Sequence, residues 1–368
     1  MFKKRLIVLG VVIVTGALAE VTVGQSPTPD QKGNAPTQSA SKVAPKKYVP
    51  SRTPWGDPDV SGNFTDIDEV NTPLERPSEF DGKKIGEVSA KDLAAANEER
   101  RRRAVEAAPF ITGNRTEGVA IGVPIHWLDN VDNHNSRPWF VIDPADGKIP
   151  PLTEEAKGLL KARAASRQTH NGFESYLSRS VQDRCISWGR PAKIMMPKIY
   201  GNSYQILQTP DYVAIRYEMV HETRLIPLKG RRAARDKDSP SMAFYNGDAT
   251  AQWEGNTLVV DTTNFNDIPP SPGGGEAASP GPHLHTIERF TRTAPNRVEW
   301  TVTLDDPHTW IRPWTFSIPL KEDDGQPIFE YACAEGNYAL RNILSAARAD
   351  EKKGIEPSDV PAPAGQEE

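Results

Sequence analysis

The sequence lacks the local signatures of several common enzyme classes. It contains no Gly-x-Ser-x-Gly elbow, no Walker A loop, no His-Glu-x-x-His and no EF-hand loop. The glycines at positions 273 to 275 follow no strand–helix unit and therefore make no dinucleotide fingerprint. Serine hydrolases of this type, P-loop enzymes and Rossmann dehydrogenases are thus unfavoured. Catalysis itself is not excluded, because sites assembled from distant residues leave no local pattern.

A strongly basic surface is also missing. The 44 lysines and arginines are outnumbered by 49 aspartates and glutamates, and the formal net charge is -5. Beyond the N-terminus the basic residues are scattered, apart from a run at 100–103 in a Glu- and Ala-rich stretch that predicts a solvated helix. Because no basic stripe is interleaved with aromatic residues, no nucleic-acid partner is expected.

The apolar run at residues 6–19 is shorter than the roughly 20 residues that a comfortable membrane-spanning helix needs. It follows three basic residues and ends in the small-x-small sequence Ala17-Leu18-Ala19. This order is typical of a secretory signal peptide, which we assign to residues 1–25, with an uncleaved anchor as the alternative. No cysteine follows the run, which excludes lipidation there. We therefore expect a periplasmic or secreted protein with no stable membrane span after signal cleavage.

Composition divides the rest of the chain. Residues 26–52 are rich in Pro, Ser, Thr and Lys, and residues 355–368 in Pro, Ala and Glu, without an apolar period. Such segments cannot bury enough surface to offset their chain entropy, so a disordered linker and a disordered tail are predicted. Residues 53–200 are expected to form an irregular, partly helical region that packs on a β-domain at 201–354. Whether residues 53–200 form a domain of their own stays open.

Strand-like alternation of apolar and polar residues dominates the second half of the chain. The pattern predicts seven or eight strands with short connections, at 203–208, 213–219, 251–254, 257–265, 285–292, 298–304, 314–318 and 327–333. Helices are predicted at 91–107, 154–165 and 338–353. The fold class is therefore mostly β: an antiparallel barrel or sandwich, with a lipocalin-like barrel as an alternative, an irregular N-terminal arm and a C-terminal helix.

The chain has two cysteines, Cys185 and Cys333. In an exported protein an even pair predicts a disulfide. The bond would close a loop of about 150 residues, worth roughly 4 to 5 kcal/mol in the chain-entropy model. Two buried free thiols are the alternative. A catalytic cysteine is unfavoured, because nothing near either residue in the sequence would lower a thiol pKa.

His221 is the most informative candidate residue. If its strand stays regular, His221 continues the apolar face formed by Val213, Ile215, Tyr217 and Met219. An imidazole on that face is a satisfied core histidine, a general base or ligand contact, or a metal ligand.

A second cluster combines His283, His285, Glu288 and Arg289. The two histidines are two residues apart, so on a strand they share a face and resemble a zinc- or copper-binding pair. A third ligand would have to come from elsewhere, and His221 is the candidate. The spacing is weakly specific, since His-x-His is common by chance.

Acidic residues close to tryptophans form a third group. Trp310, Arg312 and Trp314 follow two aspartates, and Glu335 lies further along the chain. A carboxylate beside a tryptophan face can have a raised pKa, and Trp with Arg makes a sugar- or aromatic-binding platform. The plainer interpretation is an aromatic core seam flanked by solvated loop carboxylates.

Seven stretches together span most of residues 50–350: 140–153, 183–197, 204–224, 252–265, 284–291, 305–319 and 331–338. With these stretches the chain resembles a large family of exported proteins of environmental bacteria, notably acidobacteria and proteobacteria, with no assigned activity. The resemblance implies export but carries over no catalytic residue. Members of that family often have His where this chain has Ala334.

We expect a small-molecule pocket at the mouth of the β-domain, where convergent polar groups usually bind a ligand. Its lining is predicted to comprise His221, His285, Glu288, Arg289, Trp310 and Glu335. As an acid–base lyase, isomerase or hydrolase of an apolar or sugar-like molecule, the protein would use His221 as base, Glu288 or Glu335 as acid and Arg289 to stabilise an anion.

Two alternatives compete with the enzyme. A non-catalytic envelope protein would bind a ligand or glycan with Trp310, Trp314 and Arg312, and a metal-binding protein would use His283, His285 and His221. No cofactor is predicted by the sequence.

Overall fold

The structure is a computed structural model that describes residues 48–107, 135–169, 175–198, 200–230, 242–266, 281–325 and 328–355. The predicted signal peptide lies outside these ranges, as do nearly all of the predicted linker and tail. The last residues predicted as linker belong to the fold, since Arg52 makes a β-bridge with Pro58. Among the described residues, no helix combines the length and apolar character needed to cross a bilayer.

Ten strands make one antiparallel sheet in the described part of the chain. Their order is β5-β4-β3-β1-β10-β9-β8-β7-β6, and β2 pairs with β10 beside this path. The sheet is not closed by a continuous ladder. The strands are β1 Gly62–Thr65, β2 Val141–Asp143, β3 Ser203–Gln208, β4 Tyr212–Tyr217, β5 Thr223–Pro227, β6 Asp248–Glu254, β7 Thr257–Thr263, β8 His285–Ala294, β9 Arg297–Asp305 and β10 Trp314–Glu322.

The predicted mostly-β antiparallel class is confirmed, and most predicted strands are present with small changes at their ends. A tight hairpin at Gly255-Asn256 joins β6 to β7: Glu254 pairs with Thr257, and Gly255 has a φ of +62°, which glycine adopts without a steric penalty. The strand predicted at 327–333 is wrong. The described residues from 328 to 333 form no strand, and Cys333 at the end of this segment is bonded to Cys185.

The N-terminal region contributes to the sheet itself. β1 pairs with β3 on one side and with β10 on the other. Arg292 fixes the approach to β1: its side chain donates to the carbonyl oxygens of Asp59 at 3.1 Å and Ser61 at 2.6 Å and lies over the Phe64 ring. Residues 53–200, which were predicted to pack on the β-domain, therefore also supply two of its strands, β1 and β2.

The two end strands of the sheet order also touch. Leu228, directly after β5, makes a parallel bridge with Ala251 of β6, and the Lys229 amide donates to the Ala251 carbonyl oxygen at 2.8 Å. The contact is a single bridge and not a ladder.

Three helices lie near their predicted positions: α1 Ala90–Ala107, α2 Glu154–Thr169 and α4 Ala339–Lys352. The short helix α3, Pro191–Ile194, was not predicted. The hydroxyl of Ser89 accepts a hydrogen bond from the Asp92 amide at the start of α1. Thr153 does the same for the Ala156 amide at the start of α2. These contacts satisfy amides that have no partner inside the first helical turn.

One face of the sheet carries the hydrophobic core. Buried and less buried side chains alternate along β8 and β9, as the period of two requires. Trp300 packs edge-on against Phe316, and Tyr204 packs edge-on against Tyr217. Each large apolar side chain buried in this way contributes about 1.5–3 kcal/mol.

Phe64 tests how far the fold depends on β1. Its side chain is 1% exposed, in the strand that joins β3 to β10. We expect Phe64→Ala to lower the free energy of unfolding by about 3–5 kcal/mol, measured by urea denaturation. Leu225→Ala on the end strand β5 is the control: Leu225 is 63% exposed, and the expected change is within about 0.5 kcal/mol. Similar losses in both variants would contradict a central role for β1.

Candidate functional site

His221 does not lie on the apolar face of β4. That strand ends at Tyr217, and a 3-10 turn at Met219–His221 follows. Val220 and His221 both have a φ of +56°, a left-handed backbone that turns the chain sharply into β5. Met219 is still buried, but His221 is exposed, with Nδ1 3.5 Å from the Arg216 guanidinium. The predicted burial is wrong, because the alternation stops two residues before His221.

Glu288, unlike His221, lies in the interior of the protein. Its side chain is 0% exposed, and Oε2 is 2.8 Å from the Arg224 guanidinium. The Trp300 indole donates to Oε1 at 3.3 Å. Arg224 also donates to the Tyr217 hydroxyl at 3.1 Å and to the Thr262 hydroxyl at 3.2 Å. One buried polar cluster therefore connects β4, β5, β7, β8 and β9.

Charge holds this cluster together. Burial disfavours the charged form of Arg224, but Glu288 and Tyr217 together outweigh burial and raise the pKa of the guanidinium. Burial also raises the pKa of Tyr217, so the phenol keeps its proton. With both charges paired and no solvent contact at Glu288, the arrangement supports the fold and gives a substrate no access.

His285 and Arg289 point to the other face of β8. His285 contacts Asp261 at 3.2 Å, and Arg289 contacts Glu254 at 2.7 Å, both with substantial exposure. Because successive residues of a strand alternate between faces, neither side chain can line the same pocket as Glu288. Glu335 is exposed in the loop before α4. Within the described chain, no hydrogen bond or ion pair joins any two of His221, Glu288 and Glu335. Their predicted catalytic roles stay predictions, but the expected convergence is wrong.

The tryptophan platform is part of the core. Trp310 and Trp314 are each 5% exposed and pack edge-on at 5.5 Å. Arg312 points outward and pairs with Asp143 at 3.1 Å. The plainer interpretation, an aromatic core seam, describes these residues.

The candidate metal-binding histidines have separate surroundings. His283 stacks on His308 with ring centroids 4.0 Å apart, and His308 Nδ1 contacts Glu155 at 3.0 Å. His285 faces Asp261, and His221 faces Arg216. In the ranges that the structure describes, no group of three or more His, Cys, Asp or Glu side chains is arranged to hold a metal ion.

A groove that the sequence analysis did not predict lies beside the disulfide. We call it the aromatic groove. It has a volume of about 510 Å³, and its lining comprises Gln182, Asp183, Trp188, Glu330, Tyr331, Ala332, Cys333, Asn337, Ala339, Leu340 and Ile343. None of the predicted catalytic or ligand-binding residues is among them. Of the earlier candidates only Cys333 is present, as half of the disulfide.

Aromatic rings organise one wall of the aromatic groove. Tyr331 stacks on Tyr200 with centroids 6.4 Å apart and planes 7° apart, and Trp188 meets Tyr200 edge-on at 6.4 Å. Burial raises the pKa of Tyr331, and the neighbouring Tyr200 raises it further. The Tyr331 phenol therefore stays protonated and can donate a hydrogen bond.

The predicted disulfide between Cys185 and Cys333 is present, with the two Cα atoms 5.6 Å apart. It joins the turn that precedes Trp188 to the segment that carries Tyr331. The aromatic groove thus lies where two distant parts of the chain are bonded together. Only the cysteine pair was visible in the sequence; the clustering of rings around it depends on the tertiary fold.

A second, smaller cavity of about 190 Å³ contains buried acids. Asp66 directly follows β1, is buried, and accepts a hydrogen bond from the Tyr204 hydroxyl at 3.3 Å. Burial raises its pKa to about 8, against the opposing effect of Lys198. Burial in turn lowers the pKa of Lys198 to about 8, and its ammonium donates to the Ile194 carbonyl oxygen at 2.6 Å. Near neutral pH, Asp66 therefore carries a proton in the folded protein.

No family model, curated protein or solved structure matches this chain. The family resemblance and the export that it implies therefore remain predictions.

Removing Arg224 should expose the cost of burying Glu288. Arg224→Met leaves a buried carboxylate without a counter-charge, and we expect a loss of about 3–5 kcal/mol in the free energy of unfolding. The double variant Arg224→Met/Glu288→Leu removes both charges and should recover most of that loss. Urea denaturation followed by tryptophan fluorescence measures both. A double variant no more stable than the single one would contradict this account of the cluster.

Asp66 should make stability fall as pH rises. The folded protein keeps this proton up to about pH 8, whereas an unfolded Asp loses it near its ordinary pKa of 3.8. Between these values the native state binds more protons, so wild-type stability should drop by about 1 kcal/mol or more from pH 5 to pH 7.5.

Asp66→Asn removes this titration, so its stability should fall by less than that of the wild type over the same range. A smaller drop remains because burial also raises the pKa of Glu69 and of Glu222. Urea denaturation of both proteins at the two pH values makes the comparison. An equal drop in both would show that Asp66 is not the responsible group.

Proposed function

We propose that this is an exported binding protein whose ligand, a sugar-sized polyhydroxylated molecule, occupies the aromatic groove. The observation that carries the proposal is the combination in one groove of aromatic side chains with carboxylate and amide groups. A volume of about 510 Å³ suits a small ligand. Export is supported by the N-terminal sequence pattern and by the disulfide, which persists in oxidising compartments.

The chemistry of the lining favours a sugar over a purely apolar ligand. Aromatic rings such as Trp188 and Tyr331 offer apolar faces to the C–H side of a sugar ring, while keeping a polar tip for hydrogen bonding. Asp183, Glu330 and Asn337 supply carboxylate and amide groups for hydroxyls. In the described chain Glu330 has no hydrogen-bond or ion-pair partner, so its acceptor oxygens are available.

Binding is favoured over acid–base catalysis because of where the candidate acids lie. Glu288 is fully buried against Arg224 and cannot touch a substrate. His221 and Glu335 lie outside the aromatic groove. An enzyme acting through these three residues would need a different arrangement of the sheet.

We also infer that the sheet is an incompletely closed barrel and not a sandwich. A sandwich packs two separate sheets face to face. Here one sheet contains the strands of the main path, and its two end strands meet at the bridge between Leu228 and Ala251.

Trp188→Ala should weaken sugar binding by about tenfold or more, because the stacking face is lost. Glu330→Gln should weaken it by about tenfold, since a charged acceptor is replaced by a neutral one. Isothermal titration calorimetry with a panel of monosaccharides and short oligosaccharides measures the affinities, and tryptophan fluorescence provides a second signal.

Two matched controls accompany these variants. Trp55 is a partly exposed tryptophan outside the groove, and Glu335 is an exposed carboxylate on the same segment as Glu330. Trp55→Ala and Glu335→Gln should bind as the wild type does. If the wild-type protein shows neither heat of binding nor a fluorescence change with any sugar of the panel, the proposed ligand class is refuted.

A further inference from the structure

We propose that the Cys185–Cys333 disulfide is a redox-controlled latch, whose reduction releases residues 328–355 and dismantles the aromatic groove. We call these residues the C-terminal arm. The regulatory part of the inference rests on the proposed binding function, whereas release of the arm does not.

Burial does not hold the C-terminal arm in place. None of its residues is buried, although α4 occupies 14 of them. The helix has an apolar stripe at Leu340, Ile343, Leu344 and Ala347, yet these side chains are only partly covered. A 14-residue helix without tertiary packing is marginal in water. The arm therefore depends on its few attachments to the body of the protein.

Asn337 and Tyr331 make non-covalent contacts between the C-terminal arm and the body of the protein. The Asn337 amide donates to the Asp183 carbonyl oxygen at 3.5 Å, which is long for a hydrogen bond to oxygen, and contacts Cys185 Sγ at 3.4 Å. Tyr331 stacks on Tyr200 and packs partly against the core. The disulfide is the one covalent link between the arm and the body besides the chain itself.

The sheet, by contrast, contains no residue of the C-terminal arm. Its last strand in sequence, β10, ends at Glu322. The ladder from β5 to β6 is complete without the arm. Opening the latch should therefore leave the sheet intact and affect the arm alone.

The aromatic groove depends on the latch because its two walls belong to different sides of it. Eight of its eleven lining residues lie on the C-terminal arm, and the other three, Gln182, Asp183 and Trp188, lie on the body. When the arm moves away, Tyr331 and Glu330 separate from Trp188. Reduction would thus remove the binding site without unfolding the protein.

The chemistry is ordinary thiol–disulfide exchange. Both cysteines are partly exposed, and Cys333 lines the groove. A thiolate of a dithiol reductant attacks Cys333 Sγ, forms a mixed disulfide and expels the Cys185 thiolate, which takes up a proton. The second thiol of the reductant then displaces Cys333. The protein gains two electrons and two protons, and the reductant becomes a disulfide.

Hydrogen exchange followed by mass spectrometry tests the latch in the mature protein, with and without the dithiol dithiothreitol. Intact mass confirms the reduction. We expect backbone amides of α4 to exchange at least about tenfold faster after reduction, because the released helix is marginal. Amides of β8, β9 and β10 should be unchanged. Continued protection of α4, or loss of protection throughout the sheet, would overturn the latch.

The double variant Cys185→Ser/Cys333→Ser provides the matched control. Without reductant it should exchange as the reduced wild type does, and dithiothreitol should have no further effect on it. If the reductant changed exchange in this variant as well, the effect would not come from the disulfide.

Calorimetry with the same sugar panel separates the two proposals. An oxidised protein that binds no sugar refutes the proposed function, while the exchange experiment still decides whether the arm is released. If the oxidised protein binds, we expect binding to weaken by about tenfold or more on reduction. Equal affinity in both states would overturn the control of binding by the latch.

Discussion

The short strand β1 is the element on which the rest of the structure depends. It is four residues long, yet it hydrogen-bonds to β3 on one side and to β10 on the other. Without it, the three strands β5-β4-β3 would have no partner in the remaining ladder. Arg292 and Phe64 secure the strand by contacts that reach more than 200 residues along the chain. Pairing across such a distance gives the sheet one continuous core.

Buried charge makes a second long-range connection. The Arg224–Glu288 pair is buried in the interior. Arg224 donates a hydrogen bond to the Tyr217 hydroxyl on β4, and the Trp300 indole on β9 donates one to Glu288. A buried charge is tolerated only with its partner in place, so the pair disfavours any packing that separates β5 from β8. Glu288 therefore stabilises the fold and is not part of the accessible surface.

The aromatic groove and the disulfide are formed by residues outside the strands of the sheet. The body contributes Trp188, the C-terminal arm contributes Tyr331, and the bond between Cys185 and Cys333 keeps the two together. The sheet contains no residue of the C-terminal arm, whereas the arm supplies most of the lining of the groove. In the proposed latch the arm changes its position while the core keeps its packing, and this would couple redox state to the proposed ligand binding.

Local sequence patterns determined the antiparallel class, most strands, the three longer helices and the cysteine pair, because a period of two or 3.6 residues and a capping side chain act over short distances. They failed where the tertiary fold decided. β1 is too short for a clear pattern, His221 lies after a left-handed turn, and Trp310 and Trp314 face a core that the sequence does not locate. The groove was unpredictable for the same reason: Trp188 and Tyr331 meet only because the fold and the disulfide bring them together.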